Sequence, residues 1–105
     1  MSRQLKDDMG HVIHQVFELD GTHIINNPST STQTSAFGAQ TTAIRVATTG
    51  DHVHIAISGN PTATTSSTML PSGWVEIFAV KPGWKLAAIK GGGAGSPIIS
   101  VTELV

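Results

Sequence analysis

Thr68 to Lys90, TMLPSGWVEIFAVKPGWKLAAIK, holds both tryptophans of the chain and one of its three phenylalanines. Two apolar runs, Trp74 to Val80 and Trp84 to Lys90, flank Lys81-Pro82-Gly83. Proline pre-sets φ near about −65° and glycine tolerates positive φ, so this triplet reads as a tight turn. Alternation puts Trp74, Phe78 and Val80 on one side of the first run and Val75 and Ile77 on the other. The stretch is therefore expected to be a two-stranded hairpin buried on more than one side. Glu76 lies between Trp74 and Phe78 on an apolar face. It is expected to pair there with a Lys, an Arg or a backbone donor, because an unpaired buried carboxylate is costly.

Downstream, Gly91 to Gly95 (GGGAG) reads as a strand connector. A phosphate loop would need a helix N-terminus and a Lys-Ser/Thr pair, whereas Pro97 and a β-branched run follow here. Pro97 to Val105 is predicted to be a terminal strand. Upstream, Gly59 to Ser67 (GNPTATTSS) is a polar loop. His52 to Ser58 alternates most cleanly, with Val53, Ile55 and Ile57 on one face and His52, His54 and Ser58 on the other, as in a half-buried antiparallel strand. Thr49-Gly50-Asp51 turns, and Thr41 to Thr48 is a strand with Ile44 and Val46 inward and Arg45 outward. Asn26 to Ser35 is a loop or irregular edge, followed by Phe37 as a buried aromatic anchor. Asp20-Gly21 is a hairpin-type turn between a strand over His11 to Leu19 and a short return strand over Thr22 to Ile25.

Short strands at regular spacing, with no helical pattern, predict one all-β domain. It is read as an antiparallel β-sandwich, jelly-roll-like, over residues 11–105, with an extended N-terminal arm over residues 1–10. A jelly roll and a simpler sandwich share this pattern, so strand order stays open.

Of the 105 residues, 12% are charged, about half the usual ~25%, and Ser and Thr supply the polarity instead. Such a surface suits contact with another protein. The net charge of −1 gives no electrostatic reason to expect nucleic acid or an anionic membrane as partner. With no Cys, neither a disulfide framework nor a thiolate metal site is available. No apolar run approaches the ~20 residues of a membrane span, and MSRQLKDDMG lacks the apolar core of a signal peptide, so assembly in the cytoplasm is expected. The sequons at Asn27 and Asn60 carry Pro in the middle position and are not glycosylation acceptors.

His52-Val53-His54 is the most chemical-looking feature. Two His at i and i+2 on a strand share a face and can share a metal, and the pair resembles the HxH of the cupin family. That family's pattern is incomplete here: no Glu follows closely and no His follows at all. His52 and His54 are therefore metal candidates set against the alternative of two His facing solvent or a neighbouring subunit. No Gly-x-Ser-x-Gly elbow occurs, and Asp7-Asp8, Glu18, Asp20, Asp51, Glu76 and Glu103 are scattered. No catalytic residue and no cofactor is expected. Ser29 to Ser35 and Thr62 to Thr68 are either recognition loops or plain connectors.

Several segments together resemble a family of small virion structural proteins of tailed bacteriophages. These are Ser35-Ala36-Phe37-Gly38-Ala39-Gln40-Thr41, Ile44-Arg45-Val46, Gly59-Asn60-Pro61-Thr62-Ala63, Leu70-Pro71, Val75-Glu76, Val80-Lys81-Pro82-Gly83, Lys85-Leu86-Ala87 and Ser100-Val101-Thr102-Glu103-Leu104. The likeness covers residues 33–105 and spreads over strands and turns, so it implies a shared fold more than a shared active site. It implies a non-enzymatic capsid decoration (cement) protein on the virion surface, a homo-oligomer on the particle that binds the major capsid protein and neighbouring subunits. Arg3, Lys6, Asp7 and Asp8 of the arm are the expected contacts. The alternatives are a head–tail, tail or fibre module that binds a partner protein or host glycan, and a cupin-like metal protein.

Overall fold

The computed structural model describes residues 19–105. The arm, with Arg3, Lys6, Asp7 and Asp8, and the strand expected over His11 to Leu19 lie outside the described residues, Leu19 excepted. Eight strands follow: β1 Leu19–Asn26, β2 Thr32–Gln33, β3 Ala43–Thr49, β4 Val53–Ser58, β5 Thr68–Leu70, β6 Val75–Ala79, β7 Lys85–Lys90 and β8 Ile98–Leu104. There is no helix among the described residues.

The strands form two four-stranded antiparallel sheets, ordered β1-β8-β3-β6 and β2-β7-β4-β5. The pairs β4·β5, β3·β6, β2·β7 and β1·β8 nest inside one another, as if one long ribbon had been folded over on itself. Joining β3 to β8 and β4 to β7 closes each half into a sheet. This is the strand order of a jelly roll, two interlocked Greek keys. The sequence pattern alone had left that order open.

Alternation along each strand supplies the core. Ile25, Ile44, Val46, Ile99 and Val101 from one sheet meet Val53, Ile55, Leu70, Leu86 and Ala88 from the other. Each fully buried aliphatic among them stabilises the fold by about 1.5–3 kcal/mol relative to exposure. Phe37, in the β2–β3 connection, closes one end of this core as expected.

Three local expectations fail. Lys81-Pro82-Gly83 does turn: Trp84 N–H donates to the Lys81 carbonyl at 3.1 Å, with Gly83 at φ 82°. The turn does not close a hairpin, however, because β6 pairs with β3 and β7 with β4 and β2, so the chain changes sheets at this corner. The residues carry the reason. Pro followed by a positive-φ Gly makes a type II turn, whose twist splays antiparallel strands, whereas two-residue hairpins favour the primed types.

Second, Asp20-Gly21 is no turn. It sits inside β1 as a bulge, where Leu19 pairs with Leu104 and Thr22 with Thr102. Gly21 is placed so that an added Cβ would approach Glu103 Oε2 to 3.1 Å. Third, Trp74 to Val80 is not buried on both sides. Trp74 and, in the edge strand β6, Val75 and Ile77 are exposed, and Glu76 is exposed too, with no Lys, Arg or backbone donor on its carboxylate among the described residues.

Candidate functional site

Three groups of side chains stand out, two of them polar. The first surrounds Glu103. The sequence I98-I99-S100-V101-T102-E103-L104 alternates, so Glu103 takes the inward position that Ile99 and Val101 take before it, and it is only 6% exposed. Its Oε1 accepts from the Gly38 amide at 2.7 Å and from the Thr41 hydroxyl at 2.6 Å, while Oε2 meets His23 Nε2 at 2.8 Å. Burial pushes the Glu103 carboxyl up. The Gly38 amide, the Thr41 hydroxyl and the His23 ring outweigh that and hold it below the usual carboxylate range. The His23 ring also stands edge-on to Phe37 at 5.8 Å. One carboxylate thus ties β8, β1 and the β2–β3 connection together at one end of the sandwich. Sequence reading passed over it as one of several scattered acids, although an acid in register with inward apolar positions was the available signal.

The second group holds the metal candidates. His52 Nδ1 meets Asp51 Oδ1 at 2.9 Å, and Asp51 also accepts from the amides of His52 and Gly95. Those amides hold the Asp51 carboxyl below its usual range. The rest of the His52 ring lies against Gly91, where an added Cβ would come within 1.9 Å of Nε2. His54 Nδ1 meets the Ser67 carbonyl at 3.0 Å. The two rings are 5.9 Å apart and edge-on, and among the described residues no third His, Cys, Asp or Glu joins them to make a metal-binding group. Both rings have structural partners: Asp51 and His52 hold the glycine connector, and His54 holds the β4–β5 connection.

The two Ser/Thr segments do come together. Gln33 Nε2 donates to Asn60 Oδ1 at 2.9 Å and to the Pro61 carbonyl at 2.8 Å, and Ser31 Oγ accepts from the Ala63 amide at 2.9 Å. The β4–β5 connection is thereby drawn back across β7 to β2, over the outward-facing but fully buried Ala87. Between the open sheet edges lies a cleft of about 180 Å³ lined by Ile55, Ala56, Ile57, Thr68 and Phe78, with no titratable group in its wall.

The third feature is a surface. On the outer face of the β1-β8-β3-β6 sheet, pairing places Ile24, Ser100, Ala47 and Val75 in one row and Thr22, Thr102, Arg45 and Ile77 in the next. Ile98 pairs with Asn26 and Thr49 beside the first row, and Leu19 with Leu104 beyond the second. Ile24 is 61% exposed, Ile77 55%, Val75 48% and Ile98 42%, and Arg45 is the one charged side chain in these paired rows. With Leu19, five exposed aliphatics and one charge share this face, the kind of apolar patch that protein docking surfaces present. Sequence reading missed it because it assigned Val75 and Ile77 to a hairpin interior. Compared with known proteins, the chain matches no family model, no curated protein and no solved structure.

Proposed function

We propose that this chain is a non-enzymatic structural protein of a tailed-phage particle, a decoration protein that binds and stabilises the major capsid lattice. The observation that supports the structural part of this reading is the apolar outer face of the β1-β8-β3-β6 sheet, a surface that a component of a larger assembly would bury. Exposed aliphatics there lose their unfavourable hydration on docking, by roughly 25 cal/mol per Å² covered. The sequence resemblance supplies the particle. On this reading Arg3, Lys6, Asp7 and Asp8, with exposed loop residues, make the contacts to capsid subunits. Many copies on a lattice let a weak single contact suffice.

Particle association tests it. Ile77→Asp on the exposed edge strand is expected to leave the purified domain folded but deplete the protein from particles. Deleting residues 1–10 is expected to do the same. Variants that both remain at full occupancy would refute the proposed contacts, and a deletion that unfolds the domain would place the arm in the core.

A further inference from the structure

We infer that β6 is an interaction edge, which pairs with β6 of a second copy of this chain, antiparallel and about a two-fold axis at Ile77. The inference goes beyond the capsid reading and does not depend on it.

The two sheets end in four edge strands, β1 and β6 in one, β2 and β5 in the other. An open edge presents a row of unpaired N–H and C=O groups, and folded proteins blunt such edges by shortness, bulges, Pro or charge. Here β2 has 2 residues and β5 has 3. β1 is interrupted by the bulge between Leu19 and Thr22 and carries Asp20 and His23. β6 differs from all three. It keeps unbroken register with β3 over its 5 residues and contains no Lys, no Pro and no bulge, with Glu76 as its one charge.

The phase of its backbone is fixed at both ends. The Trp74 carbonyl accepts from Thr48 N–H, and Val80 N–H donates to the Thr42 carbonyl, both at 3.0 Å. Alternation then turns the backbone groups of Glu76 and Phe78 toward β3 and those of Val75, Ile77 and Ala79 away from it. No strand among the described residues takes up these outward groups. The side chains of Trp74, Val75 and Ile77 beside them are exposed, and the cleft toward β5 keeps the other sheet clear of the edge.

Only another extended backbone satisfies such a row along its length, and a second β6 is complementary to it. With Ile77 opposite Ile77, Val75 faces Ala79 and Ala79 faces Val75. Each of these facing pairs exchanges two N–H···O bonds, so every outward group on both strands is satisfied. Glu76 then lies opposite Phe78 of the second copy. Centring the pair on Glu76 instead would set two carboxylates opposite each other and leave Ala79 unmatched, and like charges in that position repel. Centring it on Phe78 would leave Val75 unmatched. The register at Ile77 is therefore preferred. Strands of about 17 Å, roughly 10 Å deep, bury far less than the ~1,200 Å² of a stable interface, so the contact is weak between free copies.

The absence of native cysteine makes the test direct. Facing Cα atoms of a hydrogen-bonded pair lie about 5.5 Å apart, inside the ~4.4–6.8 Å that a disulfide spans. Val75 and its own counterpart would be offset by four residues, about 13 Å, which is out of reach. Val75→Cys, Ile77→Cys and Ala79→Cys are prepared as differently tagged full-length proteins and oxidised alone and in pairs. Met69→Cys serves as the control, since Met69 is as exposed as Ile77, at 55%, but lies on the other sheet. Ile77→Cys is expected to link to itself about tenfold faster than Met69→Cys does. Val75→Cys mixed with Ala79→Cys is expected to favour the mixed disulfide over either self-linked product, also by about tenfold. Self-linking of Ile77→Cys no faster than that of Met69→Cys would overturn the inference. So would Val75→Cys that links to itself as readily as to Ala79→Cys, since no two-fold pair centred on Ile77 allows it. The experiment needs no particle, so its failure and the failure of the capsid reading are separate results.

Discussion

Replacing Glu103 by Leu keeps the size of a side chain that is 6% exposed and removes the acceptor for three donors. His23 is partly exposed and can turn to water. Gly38 is exposed, so its amide can turn to water as well; the Thr41 hydroxyl has no such recourse, because Thr41 is fully buried. The stranded hydroxyl costs about 1–3 kcal/mol and the two other lost hydrogen bonds about 0.5–1.5 kcal/mol each, so Glu103→Leu is expected to lose about 2–6 kcal/mol. Set against a total of about 5–15 kcal/mol for a domain, that is a large share. At about 4–8 °C per kcal/mol, the melting temperature falls by at least ~8 °C. Glu103→Gln keeps an oxygen for Gly38 and Thr41 and loses mainly the contact with His23, so about 1–2 kcal/mol is expected.

Urea denaturation at several pH values reads both effects. The Glu103 carboxyl is held below its ordinary value of 4.5, so its contribution is complete above that value. The contribution is lost as pH falls through the lower folded value, where the native carboxylate takes up its proton. Wild type therefore loses this increment on acidification and Glu103→Gln does not. A Glu103→Leu variant within about 0.5 kcal/mol of wild type would refute the argument, since surface changes stay within that range. So would a Glu103→Gln variant as damaged as Glu103→Leu.

Further outcomes follow from the same contacts. Ile44, fully buried in the middle of the core, should cost about 2–5 kcal/mol on conversion to Ala in the same denaturation assay. Gly91→Ala drives a methyl into the His52 ring and should cost about 1–3 kcal/mol, most of it recovered in a His52→Ala background; the double-mutant cycle shows that coupling or its absence. Because both His rings have structural partners, calorimetric titration with zinc or nickel should give the same heat for wild type and for a His52→Ala/His54→Ala variant.

The fold was legible because hydrophobic period is a local property. Val53-Ile55-Ile57 and Ile44-Val46 declare their inward face from spacing alone, and both face the core or pack against it. Pairing is not local in that sense. Trp74 to Val80 and Trp84 to Lys90 have the same apolar character whether they pair with each other or join different sheets, so only the turn type at Pro82-Gly83 carried the distinction. The candidate site was harder to read for the same reason. Val75 and Ile77 are ordinary strand residues until β6 becomes an edge and its sheet presents them outward beside Ile24 and Ile98. Glu103 gains its meaning only when β8 brings it against Gly38, Thr41 and His23, residues 62 to 80 positions away in the chain.

Quantitative mass spectrometry of purified particles, comparing this chain with the major capsid protein, tests the proposed role most directly. A decoration protein is expected at a ratio near about one to one or one to three, since each lattice position offers a repeated docking site. A handful of copies per particle would contradict capsid decoration and favour a tail or neck module. Complete absence would contradict a structural role in the particle altogether.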